Sequence, residues 1–269
     1  MGELGVGVAA MHLVLLGDPV EHSRSPAIHQ AALRALGLTG TYVVRRTDGD
    51  GVVAACVEIR DGALGGANVT MPLKKAALVA VDAASEPARR AGAVNTLCFR
   101  SGAVFGENTD IGGFSDVWDR RGLPDDAPIL VLGAGGAAAA VMLAREGSEI
   151  LASSRRRGAV TELASRLGVT VSEVPWGVAV VGAVVVNATP LGMAGELLPE
   201  GIVDAAVGLF DLAYGADTTP AVAEAGRRPV ADGIDLLVAQ AARSFEMWTG
   251  RPAPLEVMET AARGQSTLA

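Results

Sequence analysis

The 269-residue sequence predicts an α/β protein of two units, each built on a largely parallel sheet. Three observations carry this. Short apolar strand-like runs alternate with helical patterns, as in βαβ units. Half of the residues are apolar but only 4% are aromatic, so a sizeable core made mostly of Ala, Val and Leu is expected. At RGLPDDAP (121–128) the texture changes to a polar, Pro-containing turn, and a second strand–turn–helix run opens at Ile129.

The elements follow in order. Residues 11–16 read as a buried strand, ended by Gly17 and Pro19. In GDPVEHSRSPAIHQ (17–30) a polar turn leads into a helix with Ser25 as N-cap, Pro26 at N1 and Gly37 at C′. Residues 41–45 read as the next strand, 52–60 as a helix and 65–69 as a third strand. In the second unit, ILVLGAGGAAAAVMLAREG gives a strand, a glycine turn and an Ala-rich helix ending near Gly147. Further strands are expected at 150–153, 180–187 and 207–212, and fraying at 264–269.

Composition excludes several classes. A net charge of −8 disfavours nucleic acid or an anionic membrane as partner. The N-terminus has no basic n-region, and Gly and His cut its apolar run, so neither a signal peptide nor a membrane span is expected. The first ten residues read as a leader or an alternative start. Cys56 and Cys98 form no CxxC and no metal spacing; they read as small buried residues in a reducing cytoplasm. No metal site is expected.

The glycine turn points to a dinucleotide. Gly133 permits the tight turn, Gly135 lets a pyrophosphate approach the backbone, and Ala138 allows close helix–strand packing. The helix start then offers free N–H groups to phosphate. A glycine-rich packing turn is the plainer alternative. At the end of the next strand, where NAD-binding folds keep an acid, stand Ser153, Ser154, Arg155, Arg156 and Arg157. Guanidiniums and hydroxyls suit a 2′-phosphate and hence NADP; a solvated charge run is the alternative.

The first unit holds three polar clusters: the serine turn, Asn68 to Lys74, and Asn95 with Asn108-Thr109-Asp110. Each follows a strand-like segment, so a parallel sheet would present all three at its carboxyl edge. Asp110 alone could be a helix cap. Together the clusters suit a small polyhydroxy carboxylic acid.

GDPVEHSRSPAIHQ, GANVTMPLKK, AGAVNT, GENTDIGGF, VLGAGGAAAA, VNATPLGM and ADGIDLLVAQAA occur in this order over most of the chain, and the set resembles the shikimate dehydrogenase family. The resemblance implies two α/β domains around a cleft: a substrate-binding domain at 1–109 with 236–269, and a Rossmann-type NADP-binding domain at 110–235. It implies that Ser23 and Ser25 seat the substrate carboxylate, that Thr70, Asn95 and Gln240 bond the ring hydroxyls, and that Tyr214 lies near the substrate. His22 is given a structural role. Lys74 and Asp110 match the catalytic pair. Gly133, Ala134, Gly135, Gly136, Ala137, Ser154, Arg155, Arg156, Thr189, Leu212 and Gly233 match cofactor contacts.

There are departures from the family pattern. Gln30 and Ser154 stand where Asn is usual, Ala159 where a second arginine is often found, and Leu212 where Met is often near the nicotinamide. The implied reaction is reversible reduction of 3-dehydroshikimate by NADPH, with Lys74 as proton donor, Asp110 orienting it and binding a substrate hydroxyl, and no metal. Two alternatives accompany it: a quinate or aminoshikimate dehydrogenase of the same family, and a non-catalytic metabolite-binding regulator. A monomer or a homodimer is compatible with the sequence.

Overall fold

The structure, a computed structural model, describes residues 10–215 and 218–264. The expected leader and the frayed C-terminus fall almost wholly outside the described residues. The described chain forms two compact units, 10–108 with 241–264, and 109–240. The sequence places the second crossing at 235/236; the contacts place it at 240/241, inside a helix that runs through both positions without a breaker.

The first unit opens with β1 (Met11–Gly17), α1 (Ser25–Ala35), β2 (Gly40–Arg46), α2 (Gly49–Arg60) and β3 (Gly66–Val69). Then come α3 (Lys74–Ala80), β4 (Ala83–Ala84), α4 (Glu86–Ala91), β5 (Thr96–Arg100) and β6 (Ala103–Glu107). Its six-stranded sheet has the order β2-β1-β3-β5-β6-β4. The expected parallel run holds for β2, β1 and β3 only. β5 is antiparallel to β3, and β5 and β6 form a hairpin. The cause is local: Ser101 and Gly102 both take positive φ, 53° and 80°, the two-residue turn that matches strand twist.

Two helix starts differ from the expectation. α1 begins at Ser25 itself, with Arg24 before it, and the Ser23 hydroxyl accepts the Ser25 N–H at 3.2 Å. Ser25 is therefore not the cap. α2 starts three residues before the apolar pattern does, because the Asp48 carboxylate accepts the Gly51 N–H at 3.1 Å.

The second unit holds α5 (Thr109–Arg120), β7 (Ile129–Leu132), α6 (Gly136–Ala144), β8 (Ile150–Ser153), α7 (Ala159–Leu167) and β9 (Ser172–Glu173). It continues with β10 (Val184–Asn187), β11 (Gly208–Asp211), α8 (Pro220–Ala225), β12 (Val230–Asp232) and α9 (Gly233–Thr249). α6 ends earlier than the sequence suggests, and β10 starts later, behind a turn at Gly182 with φ 78°. The last helix, α10 (Leu255–Arg263), returns to the first unit, and the Trp248 indole near the end of α9 donates to Leu97 O at 2.9 Å.

All six strands of the second sheet are parallel, in the order β12-β11-β10-β7-β8-β9. This is the doubly wound order, whose switch point lies between β7 and β10. Both faces are covered. Ile129 and Val131 pack into one apolar cluster, and Leu130 and Leu132 into another. Buried on both sides, β7 reads as an unbroken apolar run.

Candidate active site

In the first unit one sheet edge collects the polar clusters. Thr70 follows β3, and its N–H donates to Leu16 O near the end of β1 at 2.8 Å. A Cβ at Gly17 would strike the Thr70 methyl, so the glycine lets the two strand ends meet. Lys74 opens α3, and its carbonyl accepts the Val94 N–H at 2.9 Å. Asn95 sits between Val69, whose N–H it accepts at 2.8 Å, and Glu107, to whose carbonyl it donates at 2.9 Å. The expectation that Asn95 follows a strand is corrected: it precedes β5. Because β5 runs antiparallel, its start lies beside the end of β3, and Asn95 reaches the same edge by the opposite route.

A buried network fixes that edge. Asn68 accepts from the Tyr42 hydroxyl at 2.8 Å. Its amide nitrogen lies 3.0 Å from both Thr96 Oγ1 and Ser244 Oγ and 3.2 Å from Asn95 O. Thr96 in turn donates to Asn95 Oδ1 at 3.1 Å. Ser23 and Ser25 stand at the start of α1, Ser25 buried and Ser23 half-buried, while His22 is exposed.

Beneath this edge lies His29, fully buried and stacked on Tyr42 at 4.3 Å. Among the described residues neither ring nitrogen meets a partner in hydrogen-bond geometry, although Asn68 lies close enough to act on the ring. Burial pushes it down to about 3.

In the second unit the glycine turn follows β7. Gly133 has φ 118°, and a Cβ there would lie 2.7 Å from Ala188 O, so the fold itself requires the glycine. Gly135 and Gly136 differ: a Cβ on either would meet nothing within 4 Å. Space in front of the α6 N-terminus, with no side-chain cap on it, fits a pyrophosphate. Ala134 is half-buried, Ala137 exposed and Ala138 fully buried against the sheet.

Past β8, the Ser154 hydroxyl donates to Arg156 O at 2.7 Å. Arg155, Arg156 and Arg157 are exposed. Arg156 pairs with Glu162 at 2.8 Å, which lowers the Glu162 carboxyl. The fit to a 2′-phosphate is one of charge and position.

A third group in this unit joins Leu212, Tyr214 and Gly233. A Cβ at Gly233 would lie 2.5 Å from Leu212 O and 2.7 Å from the Tyr214 ring. Asp110 lies in the first turn of α5, and the Thr109 hydroxyl beside it is 3.5 Å from Gln240 Oε1. Gly113 lets α5 and α9 approach closely, since its Cβ would sit 2.9 Å from Gln240 N. The catalytic pair expected from sequence is thus divided: Lys74 is in the first unit and Asp110 in the second.

Sequence reasoning missed Asn187 and Asp211, both fully buried, which hold the Thr189 loop. Their signal was present: each is the one polar residue closing an otherwise apolar strand, VVVN and GLFD. Cys56 and Cys98 are buried free thiols, both pushed up by burial. Among the described residues no helix is long and apolar enough to cross a membrane.

Comparison with known proteins adds the following. Residues 15–97 match the family model described as shikimate dehydrogenase substrate binding domain, and 233–263 that described as shikimate 5′-dehydrogenase C-terminal domain. A shikimate dehydrogenase (NADP(+)) of Methanocella arvoryzae is 37% identical over 93% of this chain and 97% of its own. One from Thermus thermophilus is 40% identical over 94% and 98%. Among solved structures, a shikimate 5-dehydrogenase from Thermus thermophilus in complex with NADP(H) and shikimate is 37% identical. It covers 94% of this chain and 99% of its own, with a TM-score of 0.85.

Proposed function

The chain belongs to the shikimate dehydrogenase family, and from that premise we propose that it catalyses the reversible NADPH-dependent reduction of 3-dehydroshikimate to shikimate. The observation that carries the reading is the match along nearly the full length to relatives of that one activity.

The first unit supplies the substrate groups. Ser23 and Ser25, at the positive end of α1, seat the carboxylate. Thr70 and Asn95 bond ring hydroxyls, and the Asn68 network holds the Asn95 amide in one orientation. Asp110, Tyr214 and Gln240 are the remaining substrate contacts of this reading. The substrate-binding part is 1–109 with 236–269, and the dinucleotide-binding part 110–235.

The nicotinamide, when bound, supplies the hydride. As the ring carbonyl is reduced, its oxygen gains negative charge. Lys74 stabilises that charge and gives the oxygen its proton. In the reverse direction Lys74 accepts the hydroxyl proton. Asp110 orients the ammonium and accepts a hydrogen bond from a substrate hydroxyl. Ala134, Gly135, Gly136 and Ala137 would hold the pyrophosphate on their N–H groups, and Gly133, whose own N–H donates to Ser153 O at 2.8 Å, forms the turn that brings them to it. Ser154, Arg155 and Arg156 read the 2′-phosphate, and Thr189, Leu212 and Gly233 line the nicotinamide end. Buried free thiols suit a reducing cytoplasm, where the enzyme works as a monomer or homodimer.

The test is absorbance at the reduced-nicotinamide band with shikimate and NADP, then with NAD, and then with quinate in place of shikimate. Reduction with shikimate and NADP is expected. Reduction with quinate alone would reassign the substrate, and binding of both ligands with no turnover would make the protein a regulator.

A further inference from the structure

We infer that Asp211 is a positioning residue for the cofactor, setting the Thr189 loop through the side-chain amide of Asn187. The inference rests on the reading of Thr189 and Leu212 as cofactor contacts.

The two side chains are neighbours by register. β10 and β11 are parallel, and Asn187 pairs with Asp211 at their carboxyl ends. Asp211 is fully buried, and among the described residues no cation pairs with it. Its charged neighbour is Asp232, one strand over in the same register, and burial pushes the Asp211 carboxyl up. A buried carboxylate without a cation is an expensive way to fill space. What it does is visible in its bonds. Oδ1 accepts from Asn187 Nδ2 at 2.8 Å and from Ala213 N at 3.1 Å. Oδ2 faces the Thr219 hydroxyl at 2.5 Å.

Asn187 passes the constraint on. A side-chain amide is nearly symmetric in shape, so sterics alone leave its flip undecided. Asp211 Oδ1 accepts from two N–H groups whether or not Oδ2 carries a proton, so only the NH2 of Asn187 can face it. The second N–H of that NH2 goes to Leu191 O at 2.9 Å. The amide oxygen must then face Thr189. It accepts the Thr189 N–H at 3.1 Å and its hydroxyl at 2.6 Å. With its hydrogen so engaged, the hydroxyl accepts the Leu191 N–H at 3.2 Å. One acceptor pair on β11 thereby fixes the loop after β10.

The same carboxylate ties down its own loop through Ala213, next to Leu212. Ala188 of the β10 loop in turn abuts Gly133 of the glycine turn. The three carboxyl-end segments of the doubly wound sheet are therefore in one linked set, with Asp211 at its buried end.

The test uses the full chain and four variants. D211A removes both carboxylate oxygens, and with them the acceptor that faces the Asn187 amide. N187A removes the relay, and the double variant removes both. T219V takes a donor from the same carboxylate but leaves the Asn187 link. Dissociation constants for NADP alone, KM for each substrate and melting temperatures are measured. D211A and N187A should each raise the NADP dissociation constant about ten-fold, as loss of one well-made polar contact does. KM for shikimate should change by less than about two-fold, and the double variant should be no worse than the worse single one. T219V should lower the melting temperature and leave NADP binding within about two-fold.

The inference is overturned if D211A binds NADP as the parent does, if it raises both KM values alike, or if T219V weakens NADP as much as D211A. Additive losses in the double variant would also end it. If D211A does not fold, N187A against T219V decides the matter on the same readouts. An unsubstituted chain that binds no NADP would instead sink the dinucleotide reading, and the inference with it.

Discussion

Both units place a buried side-chain amide at the carboxyl end of a strand, yet they surround it differently. Asn68, in β3, is held by neutral groups on Tyr42, Thr96 and Ser244. Asn187, at the end of β10, faces the buried carboxylate of Asp211. The first network stays neutral: burial pushes the Tyr42 phenol up and the imidazole of His29, stacked on it, down. The second holds a carboxyl. The glycines differ in the same way. Gly17 and Gly133 are required by neighbouring protein atoms, whereas Gly135 and Gly136 face open space. The lesson is that a polar or glycine residue whose presence the fold does not require points to a ligand, and one that it does require points to the scaffold.

The largest effect expected from any single change is at Lys74. K74A should lower turnover by roughly 10²–10⁴ with a smaller change in shikimate affinity. Near-normal turnover would remove Lys74 from the chemistry and leave the first unit a binding surface only.

The glycine pair sharpens the scaffold-against-ligand distinction. G133A meets both a positive φ and Ala188 O, so it should cost about 2 kcal/mol or more of stability in denaturant titration. G135A should cost less than about 1 kcal/mol, yet weaken NADP about ten-fold. Equal stability losses, with no selective effect on NADP, would turn the whole turn into packing.

The arginine run is next. R155A should raise KM for NADPH about ten-fold and leave NADH nearly unchanged. R156A should do less, because Arg156 is already engaged by Glu162. Equal losses for NADPH and NADH would reject the 2′-phosphate assignment.

The smallest effect concerns pH. In the folded chain His29 stays neutral down to about 3, whereas the unfolded chain protonates it near 6.5. The unfolded state therefore binds the extra proton between those values, and stability falls as pH drops through that window, by at most about 1.4 kcal/mol per pH unit. Asp211 has the opposite sign: with its carboxyl pushed up, its contribution is lost as pH rises above the ordinary carboxylate range. H29F should flatten the acid limb of stability, read by urea titration at pH 7 and pH 5. An unchanged slope would mean that the acid sensitivity lies elsewhere.

Much of the architecture was readable without coordinates. The apolar strand, glycine turn and Ala-rich helix at Ile129 have one reading, because a strand buried on both faces must be apolar throughout and a tight turn into a helix needs glycine. The family followed from seven motifs in order, and the relatives agree with it. The β5–β6 hairpin was missed, since its Ser101-Gly102 signal is short and TLCFR reads equally well as part of a parallel run. Ser25 was misread as a cap because Ser-Pro fits an N-cap pattern, while the register of α1 is set by Arg24 and Ser23.

The sequence by itself determined the family and the residue types read as meeting a dinucleotide and a polyhydroxy acid, because local patterns of glycine, hydroxyl and charge are written along the chain. Only the tertiary structure decided which of those residues share an edge, and by what route. Asn95 reaches its place by starting an antiparallel strand, and Asn187 meets Asp211 through strand register. Pairing between distant segments is set by sheet order and burial, which no local spacing encodes.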